Sequence, residues 1–180
     1  GEHHDAAADH ALQAQLIRLL ASRRRCCVGL EAVQQQYQPA LDAYSRGDMS
    51  AQDMRRSVRW DERWVWPFER YEPVFEACRR QGVKLLALNV DSEDLARVEI
   101  GGYKNLDKAA LNKYVPNKSM FVQFANTSAY REYVRYVIEP SYDAHASMGI
   151  LRTTITGQQL DKDMPFDNFY SGRMLWDSSM

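Results

Sequence analysis

Cys26-Cys27-Val28-Gly29-Leu30-Glu31 is a short apolar run that ends abruptly in a carboxylate. Val83 to Asn89 repeats this pattern, since Leu85-Leu86-Ala87-Leu88 is followed by the amide of Asn89. Continuous apolar runs of this length are typical of strands that have both faces covered. Helix-like stretches lie around them, and a β–α–β–α order with short connections predicts right-handed crossovers. We therefore predict an α/β fold, with a mainly parallel sheet flanked by helices.

Helical spacing marks the segments around the two strands. Ala6 to about Ala21 carries one apolar stripe, and Gln34 to Tyr44 follows the first strand. Pro73 fits the first turn of a helix that Gly82 ends. A short helix that starts at Asp91 and ends at Gly101-Gly102 is predicted after the second strand, so each predicted strand is preceded and followed by a predicted helix.

The second half of the chain is predicted to be helical. Its elements are a weak helix Leu106–Tyr114, a strong helix Asn126–Ile138, a polar loop Thr153–Pro165 and an amphipathic helix Phe166–Met180 packed on the sheet. Pro140 is expected to end or kink the strong helix. Because no repeat or linker interrupts the chain, residues 1–180 are predicted to form a single domain.

Composition excludes several classes of partner. The 180 residues carry a net charge of -1, which gives no reason to expect nucleic acid or an anionic membrane as a partner. Cys26 and Cys27 are adjacent and Cys78 is isolated, so neither a disulfide framework nor a thiolate zinc site is expected. No apolar run approaches the roughly 18 residues that span a bilayer. Since the chain lacks an initiator Met, we expect it to be a fragment of a longer one.

Gly1-Glu2-His3-His4-Asp5 is the densest chemical motif in the chain. Asp5 is placed as the N-cap of the first helix, so His3 and His4 would lie in the turn before it. Ligands of parallel sheets bind at the carboxyl ends of the strands. We therefore expect one site containing Glu2, His3 or His4, Glu31 and Asn89. Such a site suits metal ligation or acid–base catalysis near pH 7, and the alternative is helix capping with a buried ion pair.

Two aromatic clusters allow a structural and a functional interpretation. The segment Trp60–Tyr71 (WDERWVWPFERY) could form a flat wall for a large planar ligand, but core packing is the more common use of such residues. Tyr170 lies beside Phe169 and near Trp176, and a tyrosine can ligate haem iron through its phenolate. On composition alone, core packing is favoured for both clusters.

Six motifs occur here in the order found in one known family. They are GEHHD (1–5), GLE (29–31), QQQYQPALDAY (34–44), RWDERWVWPFERYEP (59–73), LLALN (85–89) and FYSGRMLWDSSM (169–180). In these motifs the chain resembles the ChaN-like haem-binding proteins, within the superfamily that contains the Tiki, TraB and erythromycin-esterase proteins. The resemblance covers nearly the whole chain.

The resemblance implies an α/β fold, haem as the cofactor and a role in haem or iron uptake or handling. It also implies an axial tyrosine and two haems stacked between the subunits of a homodimer. By motif position Tyr170 is the candidate iron ligand, and His3, His4, Glu31 and Asn89 are candidate haem-pocket residues. The resemblance also implies that the protein is located in the chloroplast if it comes from a plant or alga, and that it is a membrane-anchored lipoprotein if it is bacterial.

The same superfamily implies an alternative function. Its GxxH motif corresponds to Gly1 and His4, and its paired glutamates correspond to Glu2 and Glu31. In hydrolytic relatives these groups bind metal or transfer protons. The alternative is therefore a metal-dependent or acid–base esterase or peptidase that uses Glu2, His4 and Glu31.

Overall fold

Two parallel strands form the sheet in the computed structural model, which describes residues 2–180. Strand β1 is Cys27–Gln34 and β2 is Lys84–Asn89. Their register runs from Cys27 opposite Lys84 to Leu30 opposite Ala87, and an irregularity then places Gln34 opposite Asn89. The two predicted strands and their parallel pairing are confirmed. The structure is a mostly helical mixed α/β fold. The sheet of the described residues has two strands, so the prediction of a fold built on a mainly parallel sheet is not confirmed.

Contacts divide the chain into two units, of which the first ends at Asn89. Its helices are α1 (Ala7–Ala21), α2 (Gln38–Arg46), α3 (Ala51–Ser57), α4 (Trp60–Arg63) and α5 (Phe68–Gln81). Its core joins the buried faces of these helices to the sheet, and the largest side chains in it are Trp60, Tyr44, Phe68 and Phe75. The prediction of a single domain stays a prediction.

Two helix starts differ from the predictions. Helix α5 begins at Phe68, because Pro67 fixes the backbone before it, and Pro73 lies inside the helix. Pro73 is the sixth residue of this helix, where it cannot donate to the Glu69 carbonyl one turn earlier. Asp5 does not cap α1, whose N-cap is Ala6 without a side-chain hydrogen bond.

The second unit is Val90–Met180. Its helices are α6 (Ser92–Gly101), α7 (Lys108–Tyr114), α8 (Lys118–Ala125), α9 (Ser128–Tyr133), α10 (Glu139–Ser147) and α11 (Phe166–Ser179), and a π-helical turn, Val134–Ile138, joins α9 to α10. Helix α11 packs mainly against α6 and α7. The helical second half is confirmed, as is the largely irregular stretch between residues 153 and 165.

Pro140 neither ends nor interrupts the helical path. The chain stays helical from Ser128 to Ser147, and the turn before Pro140 widens to π geometry. A proline ring clashes with the carbonyl one turn earlier, and a widened turn accommodates this clash.

Helix α8 was not predicted, although the side chain of Asn117 caps it by accepting from the Met120 N–H at 3.0 Å.

Within residues 2–180, no helix combines the length and the apolar character needed to cross a membrane.

Candidate functional site

The Glu2 carboxylate is the centre of a hydrogen-bonded cluster in the first unit. Its Oε1 accepts from His4 Nδ1 at 2.9 Å and from the Tyr71 hydroxyl at 3.1 Å. Its Oε2 accepts from the amide of Gln13 on α1. Nε2 of the fully buried His10 lies 3.3 Å from Oε1 without hydrogen-bond geometry. The cluster therefore joins the N-terminal turn to helices α1 and α5.

These contacts keep Glu2 ionised. Burial of the carboxyl raises its pKa, but the hydrogen bonds from Gln13, His4 and Tyr71 outweigh burial and lower the pKa from 4.5 to about 2. Such a carboxylate is a poor proton donor and a weak base at neutral pH. Its chemical use is to accept hydrogen bonds and to orient its partners.

His4 is the partner that reaches solvent. Because a carboxylate only accepts, Nδ1 of His4 carries the proton that it donates to Glu2. Across residues 2–180, no group hydrogen-bonds to Nε2 of His4, and the side chain is 31% exposed. The indole rings of Trp64 and Trp66 flank the imidazole, at centroid distances of 5.2 and 5.5 Å. An imidazole that is oriented by a carboxylate and open at Nε2 is the arrangement of a general base.

The WDERWVWPFERY segment provides both core and site. Trp60 is 1% exposed and donates its indole N–H to the Trp66 carbonyl at 2.8 Å, which confirms core packing for that residue. Trp64 donates to the hydroxyl of Tyr71 at 3.1 Å, and Tyr71 in turn donates to Glu2. Burial and the nearby Glu2 and Glu31 charges raise the pKa of Tyr71, so its hydroxyl remains a donor.

A cavity of about 570 Å³ opens beside this cluster. We call it the carboxylate cavity; its polar lining is Glu2, His4, Gln13, Glu31 and Tyr71, and its apolar lining comes mainly from α1 and β1, with Trp64 and Val74 in addition. The structure thus brings together three of the predicted residues, Glu2, His4 and Glu31.

Two other predicted residues lie elsewhere. The His3 side chain is 88% exposed and faces Asp9, with Nδ1 at 3.5 Å from the carboxylate. Asn89 is buried and donates its amide to the Glu31 carbonyl at 2.8 Å, so it joins the ends of the two strands. Gly1, the first position of the GxxH motif, lies outside the described residues.

Sequence reasoning missed His10, Gln13 and Tyr71 as members of the cluster. A signal for two of them exists in α1, where His10 and Gln13 lie three residues apart beside the buried Ala14 and Ile17. Polar residues next to a buried helix face need polar partners, and Glu2 is that partner. Between Glu2 and Met180, no group of three or more His, Cys, Asp or Glu side chains is arranged to hold a metal ion.

Tyr170 belongs to the second unit. Its ring is half-buried, stacks on Phe166 at 6.1 Å and lies 6.5 Å from the ring of Tyr130. Burial, aided by the neighbouring Tyr170 phenol, raises the pKa of both Tyr103 and Tyr130. Tyr103, Tyr130 and Tyr170 therefore form a three-tyrosine cluster, in which Tyr130 is buried and the other two are half-buried.

An apolar cavity of about 690 Å³ lies in the same unit. We call it the aromatic cavity; Tyr114, Phe121, Phe124, Tyr130, Tyr133 and Met174 are among its lining residues. Tyr170 is not in the lining, but it contacts Tyr130 and precedes Met174 by one turn of α11. The volume is in the range of cofactor sites, and the lining suits a large planar apolar group.

A model of the family described as haem-binding uptake, Tiki superfamily, ChaN matches residues 1–180. The chain belongs to this family. The matched range includes the Glu2 cluster, the aromatic cavity and Tyr170, so every part of the candidate sites lies within the ChaN family region.

One curated plant protein is similar to this ChaN family member. It is Protein RETICULATA-RELATED 5, chloroplastic, of Arabidopsis thaliana, which is 28% identical over 134 residues. The match covers 67% of this chain and 18% of the plant protein, so the chain spans less than a fifth of its relative. No solved structure is significantly similar to the chain.

Glu2→Gln is expected to flatten the acid dependence of stability. Because folding lowers the Glu2 pKa from 4.5 to about 2, the ionised carboxylate stabilises the fold above pH 4.5, and this contribution is lost as pH falls towards 2. The full shift corresponds to about 3 kcal/mol, which solvent screening reduces to roughly 1–2 kcal/mol. Urea unfolding of wild type and variant between pH 3 and 7 measures it. The exposed Glu132→Gln is the control, and equal pH slopes for Glu2→Gln and wild type would contradict the role of Glu2.

Proposed function

We propose that this chain binds haem and takes part in haem or iron handling, with Tyr170 as the iron ligand. The observation that carries the proposal is the aromatic cavity beside the Tyr170 cluster, in a chain of a haem-binding family. The cavity lining is almost free of charge, with Asp177 as its one charged residue. A porphyrin presents the flat apolar surface that such a lining accepts.

The residues that line the aromatic cavity fit a porphyrin, and Tyr170 lies next to this lining, against Tyr130, rather than within it. Phe121, Phe124, Tyr133 and Met174 would contact the porphyrin. Haem supplies an iron centre that a tyrosine phenolate can ligate. Phe124 is 56% and Tyr133 is 42% exposed, so the cavity has an open apolar rim through which a planar ligand can enter.

Tyr170 is the proposed ligand because of its position in the family motif FYSGRMLWDSSM (169–180), and its phenol interacts with that of Tyr130 next to the cavity. Tyr130 is 5% exposed, and its hydroxyl contacts the Met174 sulfur. The hydroxyl of Tyr103 donates to the Ser171 carbonyl at 2.9 Å. Tyr133 is the competing candidate, since it lines the aromatic cavity and is partly exposed.

Tyr170→Phe is expected to shift the Soret band of the haem complex and to weaken haem affinity by about tenfold or more, since loss of a group that supports a metal site typically costs 10- to 100-fold. Titration of haem into purified protein, followed by absorbance, measures both effects. Tyr136→Phe, at an exposed position outside the aromatic cavity, is the matched control. A Tyr170→Phe complex identical to wild type would contradict the assignment, and a loss confined to Tyr133→Phe would transfer it to Tyr133.

We also propose that the haem-bound chain is a homodimer, as the family resemblance implies. The exposed apolar side chains at the rim of the aromatic cavity, Met120, Phe124 and Tyr133, support it, since a partner could cover them. Light scattering with and without haem tests it.

The chloroplast is the proposed location, supported by the name of the plant relative.

A second candidate function rests on the His4 imidazole. Glu2 holds Nδ1 of His4, and Nε2 is open beside the carboxylate cavity, which Glu31 also lines. The proposed activity is acid–base hydrolysis of an ester or peptide, with His4 as the base.

Positioned general bases contribute about 10²- to 10⁴-fold, so His4→Gln should lower ester turnover by this factor. The exposed His3→Gln is the control. Equal turnover by wild type, His4→Gln and Glu31→Gln would dismiss this function.

A further inference from the structure

A third cavity, of about 510 Å³, lies in the second unit. We call it the arginine cavity; it shares no lining residue with the aromatic cavity. Most of its lining is apolar and includes Leu95, Ile150, Leu151, Ile155, Met164 and Trp176. Three ionisable side chains, Glu99, His145 and Arg173, also line it. Such a combination of an apolar body and a few polar groups is typical of small-molecule sites.

The N–H groups of the Arg173 guanidinium are open in this cavity. The guanidinium lies over the Phe169 ring, 5.1 Å from the centroid, and no residue of the described range 2–180 is within ion-pair or hydrogen-bond distance of it, although its charge acts on the Glu99 carboxyl from farther away. The guanidinium of arginine is a rigid fork of donors that matches a carboxylate. A half-buried guanidinium whose N–H groups no carboxylate occupies, at the wall of an apolar cavity, therefore indicates an anionic ligand.

His145 provides a second polar group. Its Nδ1 donates to the Ser141 carbonyl at 2.7 Å, which leaves Nε2 without a partner among the described residues. The ring packs on the same Phe169 that supports Arg173, with centroids 5.3 Å apart. Phe169 thus holds both side chains at one wall of the cavity.

Glu99 limits the charge of the ligand. Its Oε2 accepts from the Ile155 backbone N–H at 2.8 Å, so it is held in place without an ion pair to Arg173. Burial raises the pKa of Glu99. A second negative charge on the ligand would face this carboxyl, so one carboxylate is favoured over two.

We propose that the arginine cavity binds a monocarboxylic acid with an apolar body. The carboxylate pairs with the Arg173 guanidinium, and the apolar body lies against Leu95, Ile150 and Met164. The site is separate from haem binding and does not depend on it. The main alternative ligand is an apolar amino acid, with its ammonium group on Glu99.

Calorimetric titration of the full chain with octanoate tests the proposal. We expect octanoate to bind saturably at one site and 1-octanol to bind at least tenfold more weakly. L-Phenylalanine should bind no more tightly than octanoate. Arg173→Gln should weaken octanoate binding by about tenfold or more, because the ligand carboxylate loses its charge-assisted hydrogen bonds. Arg173→Lys, which keeps the charge, should retain part of the affinity and controls for folding.

Glu99→Gln tests the effect of the neighbouring negative charge alone, since its amide oxygen can still accept from the Ile155 N–H. The variant should bind octanoate as tightly as wild type or more tightly. No saturable binding, an unchanged affinity in Arg173→Gln, or tighter binding of L-phenylalanine that Glu99→Gln removes would each overturn the proposal. Haem titration of the octanoate-saturated protein separates the two sites, because the haem affinity should be unchanged.

Discussion

Trp60→Ala is expected to lower the free energy of unfolding by about 3–5 kcal/mol, the usual cost of removing a large buried aromatic side chain. Trp60 is 1% exposed and packs edge-on against Phe68, Tyr71 and Phe75, with centroids 5.0–5.8 Å away. Its indole N–H also donates to the Trp66 carbonyl, which the substitution leaves without that donor. Urea unfolding followed by near-ultraviolet circular dichroism measures the loss.

Val65→Ala is the matched control in the same segment. Val65 is 89% exposed, so its substitution should change the free energy of unfolding by less than about 0.5 kcal/mol. A Trp60→Ala protein as stable as Val65→Ala would show that the aromatic segment is not the anchor of the first unit.

Ala129→Trp is expected to weaken haem binding by about 1–3 kcal/mol, the typical cost of inserting excess volume, which is roughly 5- to 150-fold in affinity. Ala129 is exposed and lines the aromatic cavity, so an indole there would occupy the cavity without disturbing the core. Haem titration of the variant measures the change.

Ala146→Trp is the control for this experiment. Ala146 is an exposed helical alanine that lines neither the aromatic nor the arginine cavity. Its haem affinity should equal that of wild type. If Ala129→Trp also binds haem normally, the haem site lies outside the aromatic cavity.

The strands were the most predictable part of the fold. Each ends an apolar run at a polar residue, and the predicted parallel pairing is present in the register of Leu30 with Ala87. The extent of the sheet was not predictable, because strand length and number depend on which helix faces cover the runs. The start of α5 was also misplaced, because Pro73 fits the first turn of a helix, whereas α5 begins at Phe68, directly after Pro67.

The Glu2 cluster was predictable only in part. Motif and strand-end reasoning grouped Glu2, His4 and Glu31, and the structure places all three at the carboxylate cavity. Tyr71 was not grouped with them, because its contact with Glu2 spans 69 positions and follows from the packing of α5. Long-range hydrogen bonds of this kind leave no periodic signal in the sequence.

The cavities of the second unit were not predictable from the sequence. The aromatic cavity depends on α8, a helix whose start rests on one capping contact between Asn117 and Met120. The arginine cavity depends on the loop after Ile150, whose position is held by contacts such as Ile155 with Glu99. In both cases the sequence shows the apolar residues, but it does not show that their packing leaves a cavity between them.

Titration of haem into the purified chain, followed at the Soret band, tests the central claim most directly. The account predicts a saturable band that Tyr170→Phe shifts and Ala129→Trp weakens, while Tyr136→Phe and Ala146→Trp leave it unchanged. A linear rise in absorbance without saturation, equal to that of haem in buffer, would contradict haem binding by this chain.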